Sequence, residues 1–226
     1  MEDLTEEVAV AGKSPNAWAQ VVAALVVVAV IGGGLWVFQK NSGDGNGASS
    51  MACSTPKPTR GATKNAERLL GSQLCKVLNR PDLPTLLGTP GEEVKSVGSG
   101  EAPVPEGDVT FTTYSVQLSA SYDDFPVTGM ADLLGGDARE RTVLGRPAVL
   151  YSTGTIAFSF DLGGGKAKSA PGHRARGLVV AQDPKDGGGS YEIAIWRQDS
   201  VPPDDATLLR VAEKVLPTIP GWTGGA

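Results

Sequence analysis

The segment Tyr114-Ser115-Val116-Gln117-Leu118-Ser119-Ala120-Ser121-Tyr122 decides the fold class. Apolar residues at 114, 116, 118, 120 and 122 alternate with polar ones. That two-residue period marks a strand with one face toward a core and the other toward water. The period returns at Ile156, Phe158, Phe160 and Leu162, separated by Ala157, Ser159 and Asp161. Further strands are expected at 142–144, 147–152, 177–182 and 191–197. Asp186-Gly187-Gly188-Gly189 supplies the turn that makes a hairpin of the last two.

Helical signals flank the strand-rich stretch. Ala66, Leu69, Leu70, Leu74, Val77 and Leu78 form one apolar stripe, which predicts a helix over 64–78. A short second helix is expected after Asp82, ending at Gly88. At the other end Pro202, Pro203 and Asp204 open a helix that Pro217 closes, with Leu208, Leu209, Val211, Ala212, Val215 and Leu216 on its buried face. Helix, antiparallel strands and helix define an α+β domain over residues 63–226, with N- and C-terminal helices packed on a twisted sheet.

Residues 40–62 are dominated by Gly, Ser, Asn, Thr and Pro and cannot bury a core, so they are read as a flexible linker. Before them, residues 21–38 carry no charge at all, and Trp18 and Trp36 stand near the two ends of this run. Eighteen to twenty apolar residues match the hydrocarbon core of a bilayer, and interfacial tryptophans suit its boundaries. Residues 17–39 are therefore expected to form a transmembrane helix, preceded by an acidic cytoplasmic tail over 1–16. A cleaved signal peptide fits less well, because Glu2, Asp3, Glu6 and Glu7 precede the run with only Lys13 to oppose them.

Lys13 on one side, with Lys40 and Lys57 on the other, is too even a balance for the positive-inside rule to orient the chain. The cysteines orient it instead. There are two, Cys53 and Cys75. An even number in one exported domain predicts a disulfide, which places the C-terminal domain outside the cell membrane. Such a bridge would pin the linker to the first helix.

The same sequence removes several chemistries. The single histidine, His173, lies in a polar stretch, Pro171-Gly172-His173-Arg174, read as a solvated loop. Any Ser–His or Cys–His mechanism would have to run through it, and a zinc site of several His and Cys ligands cannot be assembled. Gly163-Gly164-Gly165-Lys166 lacks the spacing of a phosphate-binding loop and reads as a strand connection. Lys166, Lys168, His173, Arg174 and Arg176 nevertheless gather cationic groups that could face an anionic envelope polymer. Removing Lys13 and Lys40 from the 20 basic residues leaves 18 beyond the linker's start, against 21 acidic, so nucleic acid is not an expected partner. Trp196 is the residue that the strand pattern leaves over: burying Tyr191, Ile193 and Ile195 turns it to the opposite face, either under a helix or exposed as an anchor for a partner.

With these residues in view, the layout resembles an actinobacterial domain-of-unknown-function family of small membrane-anchored proteins. The likeness is carried by Pro15-Asn16-Ala17-Trp18-Ala19-Gln20, Leu74-Cys75-Lys76-Val77-Leu78 and Leu86-Leu87-Gly88-Thr89-Pro90-Gly91. It continues in Tyr191-Glu192-Ile193-Ala194-Ile195-Trp196-Arg197 and in Leu216-Pro217 with Pro220-Gly221-Trp222. The resemblance implies no activity and no ligand. More distantly the domain is similar to PsbP-like envelope lipoproteins, from which it departs by carrying a membrane helix in place of a lipid-attachment cysteine.

The expectation is a non-enzymatic, single-pass envelope protein without a cofactor, whose outer domain binds a protein or an envelope polymer. A carrier or chaperone for a small apolar ligand, held between sheet and helices, is the alternative. An acid–base hydrolase would require two carboxyl groups converging in one cleft.

Overall fold

The computed structural model describes residues 52–53, 68–101, 104–159 and 168–223. The expected transmembrane helix at 17–39, the tail before it and most of the linker lie outside these residues. Among the described residues, no helix is long and apolar enough to cross a membrane.

Within the described residues seven strands form one antiparallel sheet: β1 (Ser96–Gly100), β2 (Glu106–Thr110), β3 (Tyr114–Ser121), β4 (Arg139–Val143), β5 (Arg146–Ser159), β6 (Lys168–Ala181) and β7 (Ser190–Arg197). Their spatial order is β1-β2-β3-β7-β6-β5-β4. Two meanders, β1 to β3 and β4 to β7, are thus joined where β7 pairs with β3, with Val116 opposite Ile195 and Leu118 opposite Ile193. The helices of this region are α1 (Gly71–Leu78), α2 (Leu83–Leu86), α3 (Met130–Leu134) and α4 (Asp205–Val215).

One face of the sheet holds the main core. Tyr114, Val116, Leu118 and Ala120 of β3 join Tyr191, Ile193 and Ile195 of β7 and Leu178 and Val180 of β6. Leu74 and Leu78 of α1 and Leu208, Val211 and Val215 of α4 close over them, all five out of reach of solvent. Each fully buried aliphatic side chain contributes about 1.5–3 kcal/mol. A smaller cluster on the opposite face packs Val149, Tyr151 and Val179 under Val127, with Met130 and Leu134 of α3 at its margin.

Two glycines let α1 approach closely. A Cβ on Gly107 would lie 2.1 Å from the Cys75 backbone nitrogen, and one on Gly71 would lie 2.0 Å from the Gly100 carbonyl oxygen. The helix therefore rests on bare backbone. It begins at Gly71, later than the stripe suggests, because Leu70 is extended (φ −91°, ψ 149°) and its N–H donates to the Gln73 side-chain oxygen at 2.8 Å. At α4 the expected start holds: Asp204 accepts a hydrogen bond from the Thr207 N–H at 2.7 Å. Leu87 rather than Gly88 caps α2, and Gly88 follows in the left-handed region at φ 81°.

Two further sequence expectations change. β3 is not half-buried: Ser115, Gln117 and Ser119 are as inaccessible as their apolar neighbours. Cross-strand partners make this tolerable, with Ser115 Oγ 3.1 Å from Thr110 Oγ1 and accepting from Gln198 Nε2 at 2.7 Å. Pro171-Gly172-His173-Arg174 is strand, not loop, because β6 runs 14 residues and pairs with an equally long β5 through a bulge between Gly154 and Ile156.

Candidate functional site

Strand alternation places Trp196 on the sheet face away from α1 and α4. It lies beside Ser115 of β3 and Ala175 of β6 in the register. It is half-buried and belongs to neither apolar cluster. Of the two readings open from the sequence, placement under a core helix is the one that this face disfavours.

Around Trp196 the polar groups form two short chains. On one side Gln198 Nε2 donates to Ser115 Oγ, which meets Thr110 Oγ1. On the other, His173, two residues before Ala175 on β6, brings Nδ1 to 3.1 Å from Ser200 Oγ. Ser200 adopts φ 63° in the turn after β7. A half-exposed indole framed by hydroxyl, amide and imidazole groups suits a ligand with its own hydroxyl or amide groups. The indole gives a flat apolar contact and the polar chains fix orientation.

The cationic cluster read from the sequence does not hold together. Arg176 projects to the α4 side, where Nη1 meets Asp137 Oδ2 at 2.5 Å and Nε meets Asp205 Oδ1 at 3.1 Å. Arg139 adds a second contact to Asp205 at 3.0 Å. Hydrogen bonds from Ser152, and then the Arg176 guanidinium, hold the Asp137 carboxyl down to about 2. Arg176 is thereby committed within the fold. Arg174 is exposed, and neighbouring positions on a strand face opposite ways, so it does not share the Trp196 face with His173. Lys166 and the Lys168 side chain lie outside the described residues.

The disulfide between Cys53 and Cys75 is formed, with the two Cα atoms 5.8 Å apart and a sequence separation of 22. Cys75 is fully buried against β2.

A group that the sequence does not announce lies farther along the Trp196 face. Glu106 and Asp108 of β2, Gln117 of β3, Glu192 of β7 and Tyr151 of β5 occupy adjacent rows of the register. Gln117 Nε2 donates to Glu106 Oε2 at 2.7 Å, and the Tyr151 hydroxyl donates to Glu192 after passing over Gly177. Burial, then the charge of Asp108, pushes Glu106 up to about 7; burial alone pushes Asp108 up to about 6 and also raises Glu192. At a pH well below 6, Glu106 and Asp108 are held as neutral hydrogen-bonding groups. Among the described residues, no three His, Cys, Asp or Glu side chains are placed to hold a metal ion. The one signal in the sequence is the spacing of Glu106 and Asp108, two apart as on one strand face, but their charges make the segment read as loop.

At the helix–sheet interface Leu74, Leu78, Leu208, Val211 and Val215 pack against the apolar residues of β3, β6 and β7. An open groove of about 680 Å³ lies at the surface, between α1 and the C-terminal segment, bordered by Lys76, Val77, Arg80, Pro81 and Pro220.

Residues 12–137, more than half of the chain, match the profile of a family of unknown function, DUF6215. No curated protein and no solved structure matches.

Proposed function

The chain belongs to the family of unknown function DUF6215, and we propose that it is a single-pass membrane protein whose extracytoplasmic domain binds an envelope component through its Trp196 face. The observation that carries this reading is the Cys53–Cys75 bridge. A disulfide suits an oxidising compartment, and this one fastens the glycine- and serine-rich linker after residues 17–39 to the first helix of the domain. The apolar run then serves as anchor and the linker as tether. The domain acts as a non-enzymatic binding module without a cofactor, and the same layout underlies the likeness to envelope lipoproteins.

The ligand is a protein or polymer offering hydroxyl and amide groups to Trp196, Gln198 and His173. With Arg176 neutralised by Asp137 and Asp205, an anionic polymer is the weaker choice. The test is binding of purified envelope polymer and envelope extract to the full chain in detergent, wild type against Trp196→Ala. The reading predicts retained ligand with wild type, loss of at least about tenfold in affinity with the variant, and unchanged thermal stability. Equal binding by both, or binding by neither, rejects the Trp196 face as the site.

A further inference from the structure

The groove between α1 and the C-terminal segment lies on the side of the sheet away from Trp196, and its charge is positive. Val77, Pro81 and Pro220 give it apolar surface, and Lys76 and Arg80 give it cations. Asp82 is the one carboxylate that borders it, and Arg80 answers it by donating from Nε and Nη2. Arg80 Nη1 also donates to the Lys214 carbonyl at 2.9 Å, which brings the end of α4 to the same place. Lys76 and Lys214 are exposed, and among the described residues neither has a carboxylate partner.

The tether reaches the domain beside this groove. Cys53 is bonded to Cys75, the residue before Lys76, with the two cysteine Cα atoms 5.8 Å apart. The Cα atoms of Cys53 and Lys76 are therefore within about 10 Å of each other. Residues 40–52 are all that separates the expected anchor at 17–39 from the bridge. A stretch of that length spans at most about 45 Å and on average about 20 Å. The bridge thus keeps the groove close to the surface of the membrane.

We infer that the groove takes the anionic headgroup of a phospholipid in the membrane that anchors the chain. The phosphate oxygens meet Lys76 and Lys214, and the apolar surface of Val77, Pro81 and Pro220 meets the glycerol region beneath. The domain then lies α1 side down, and its Trp196 face looks away from the bilayer, toward the envelope. A lysine near an anionic surface contributes about fivefold in binding. The tether keeps the local concentration of lipid high, so two such contacts populate the docked state. The chain from residue 41 onward is net acidic, 18 basic against 21 acidic residues, so a negative surface favours the approach that leads with these lysines. This contact rests on the anchored reading above.

The test places the full chain in nanodiscs of phosphatidylcholine alone, or of phosphatidylcholine mixed equally with phosphatidylglycerol. Acetylation of each lysine is followed by mass spectrometry, with Lys185, exposed in the turn between β6 and β7, as reference. Lys76 and Lys214 are expected to react at least about fivefold more slowly in the anionic discs at low salt, and Lys185 equally in both. High salt should abolish the difference. Lys214→Glu, at an exposed position, leaves the unfolding temperature unchanged and returns Lys76 to its rate in the neutral discs. Equal rates in the two lipids, or a slowing that neither salt nor Lys214→Glu relieves, overturns the proposal. A chain that enters neither kind of disc rejects the anchored reading and this contact together. Entry without protection of the lysines rejects the headgroup contact alone.

Discussion

The guanidinium of Arg146 sits 3.7 Å from the centre of the Trp222 ring, in a residue that solvent does not reach. Its Nη groups donate to the carbonyls of Gln182 and Thr223. Trp222 in turn meets the ring of Tyr191 at 5.8 Å. A buried cation is costly unless it is satisfied; here carbonyl oxygens meet the Nη groups and an aromatic face covers the guanidinium, while Nε has no hydrogen-bond partner among the described residues. The result ties the C-terminal segment to the start of β5 and to β7.

Removing the ring should therefore expose a cost well beyond its own contact area. Trp222→Ala is expected to destabilise the domain by about 2–3 kcal/mol, since a desolvated cation–π contact contributes up to about 2 and lost packing adds to it. Trp222→Phe should retain about half of this, because a smaller ring still faces the cation. Chemical denaturation of the three proteins checks the order; equal stability of the alanine and wild-type proteins would contradict it.

The carboxyls of the Trp196 face set a pH dependence with a defined sign. Glu106 is pushed up to about 7 and Asp108 to about 6 in the folded protein, against ordinary values of 4.5 and 3.8. Raised values mean that the folded state holds protons that the unfolded state has released. Stability from these groups is thus full below about pH 4 and is lost as pH rises toward 7. Asp137 and Asp204 act oppositely, because their lowered values give stability that is lost as the pH falls below the usual carboxylate range. The unfolding temperature should accordingly peak near about pH 5 and fall by about pH 8. Glu106→Gln, which keeps a hydrogen-bonding partner for Gln117, should flatten that fall. A profile identical in the variant would contradict the assignment.

The seat of α1 makes a third prediction. A methyl group on Gly107 would meet the backbone of Leu74 and Cys75, at 2.1 Å from the Cys75 nitrogen. Backbone cannot swing aside, so Gly107→Ala should shift the helix and cost about 1–3 kcal/mol or more. The same change at Gly88 meets nothing within 4 Å, though φ 81° there still opposes a side chain. Thermal unfolding should therefore rank Gly107→Ala below Gly88→Ala. Thiol titration should also show slower closure of the Cys53–Cys75 bridge in Gly107→Ala.

How much of this the sequence disclosed depends on whether the signal is local. Alternation marks β3 and β7 because their apolar residues face one dense core. Asp204 marks α4, since a carboxylate three residues before a backbone N–H is a short-range device. β1 and β2 stay hidden: Val97 is the one large apolar residue of the first, and the second displays Glu106 and Asp108 on a face where burial raises the carboxyls. The same alternation turns Trp196 away from Ile193 and Ile195, and its register partners lie on that other face. Arg176 reads as a free cation in the sequence because Asp137 and Asp205 are distant along the chain and meet it only through the fold. Arg146 gives no warning at all, since its partners are carbonyl groups and a ring near the C-terminus, with the Thr223 carbonyl 77 residues away.

Whether a disulfide-pinned domain stands outside the membrane on a single anchor is tested most directly in intact cells. Cells expressing the full chain should be treated with a membrane-impermeant maleimide, with and without a mild external reductant, and the gel shift read at Cys53 and Cys75. The expected outcome is labelling of both cysteines only after the external reductant acts. Labelling that requires lysis, with free thiols and no reductant, would place the domain in the cytoplasm and contradict the anchored, extracytoplasmic arrangement.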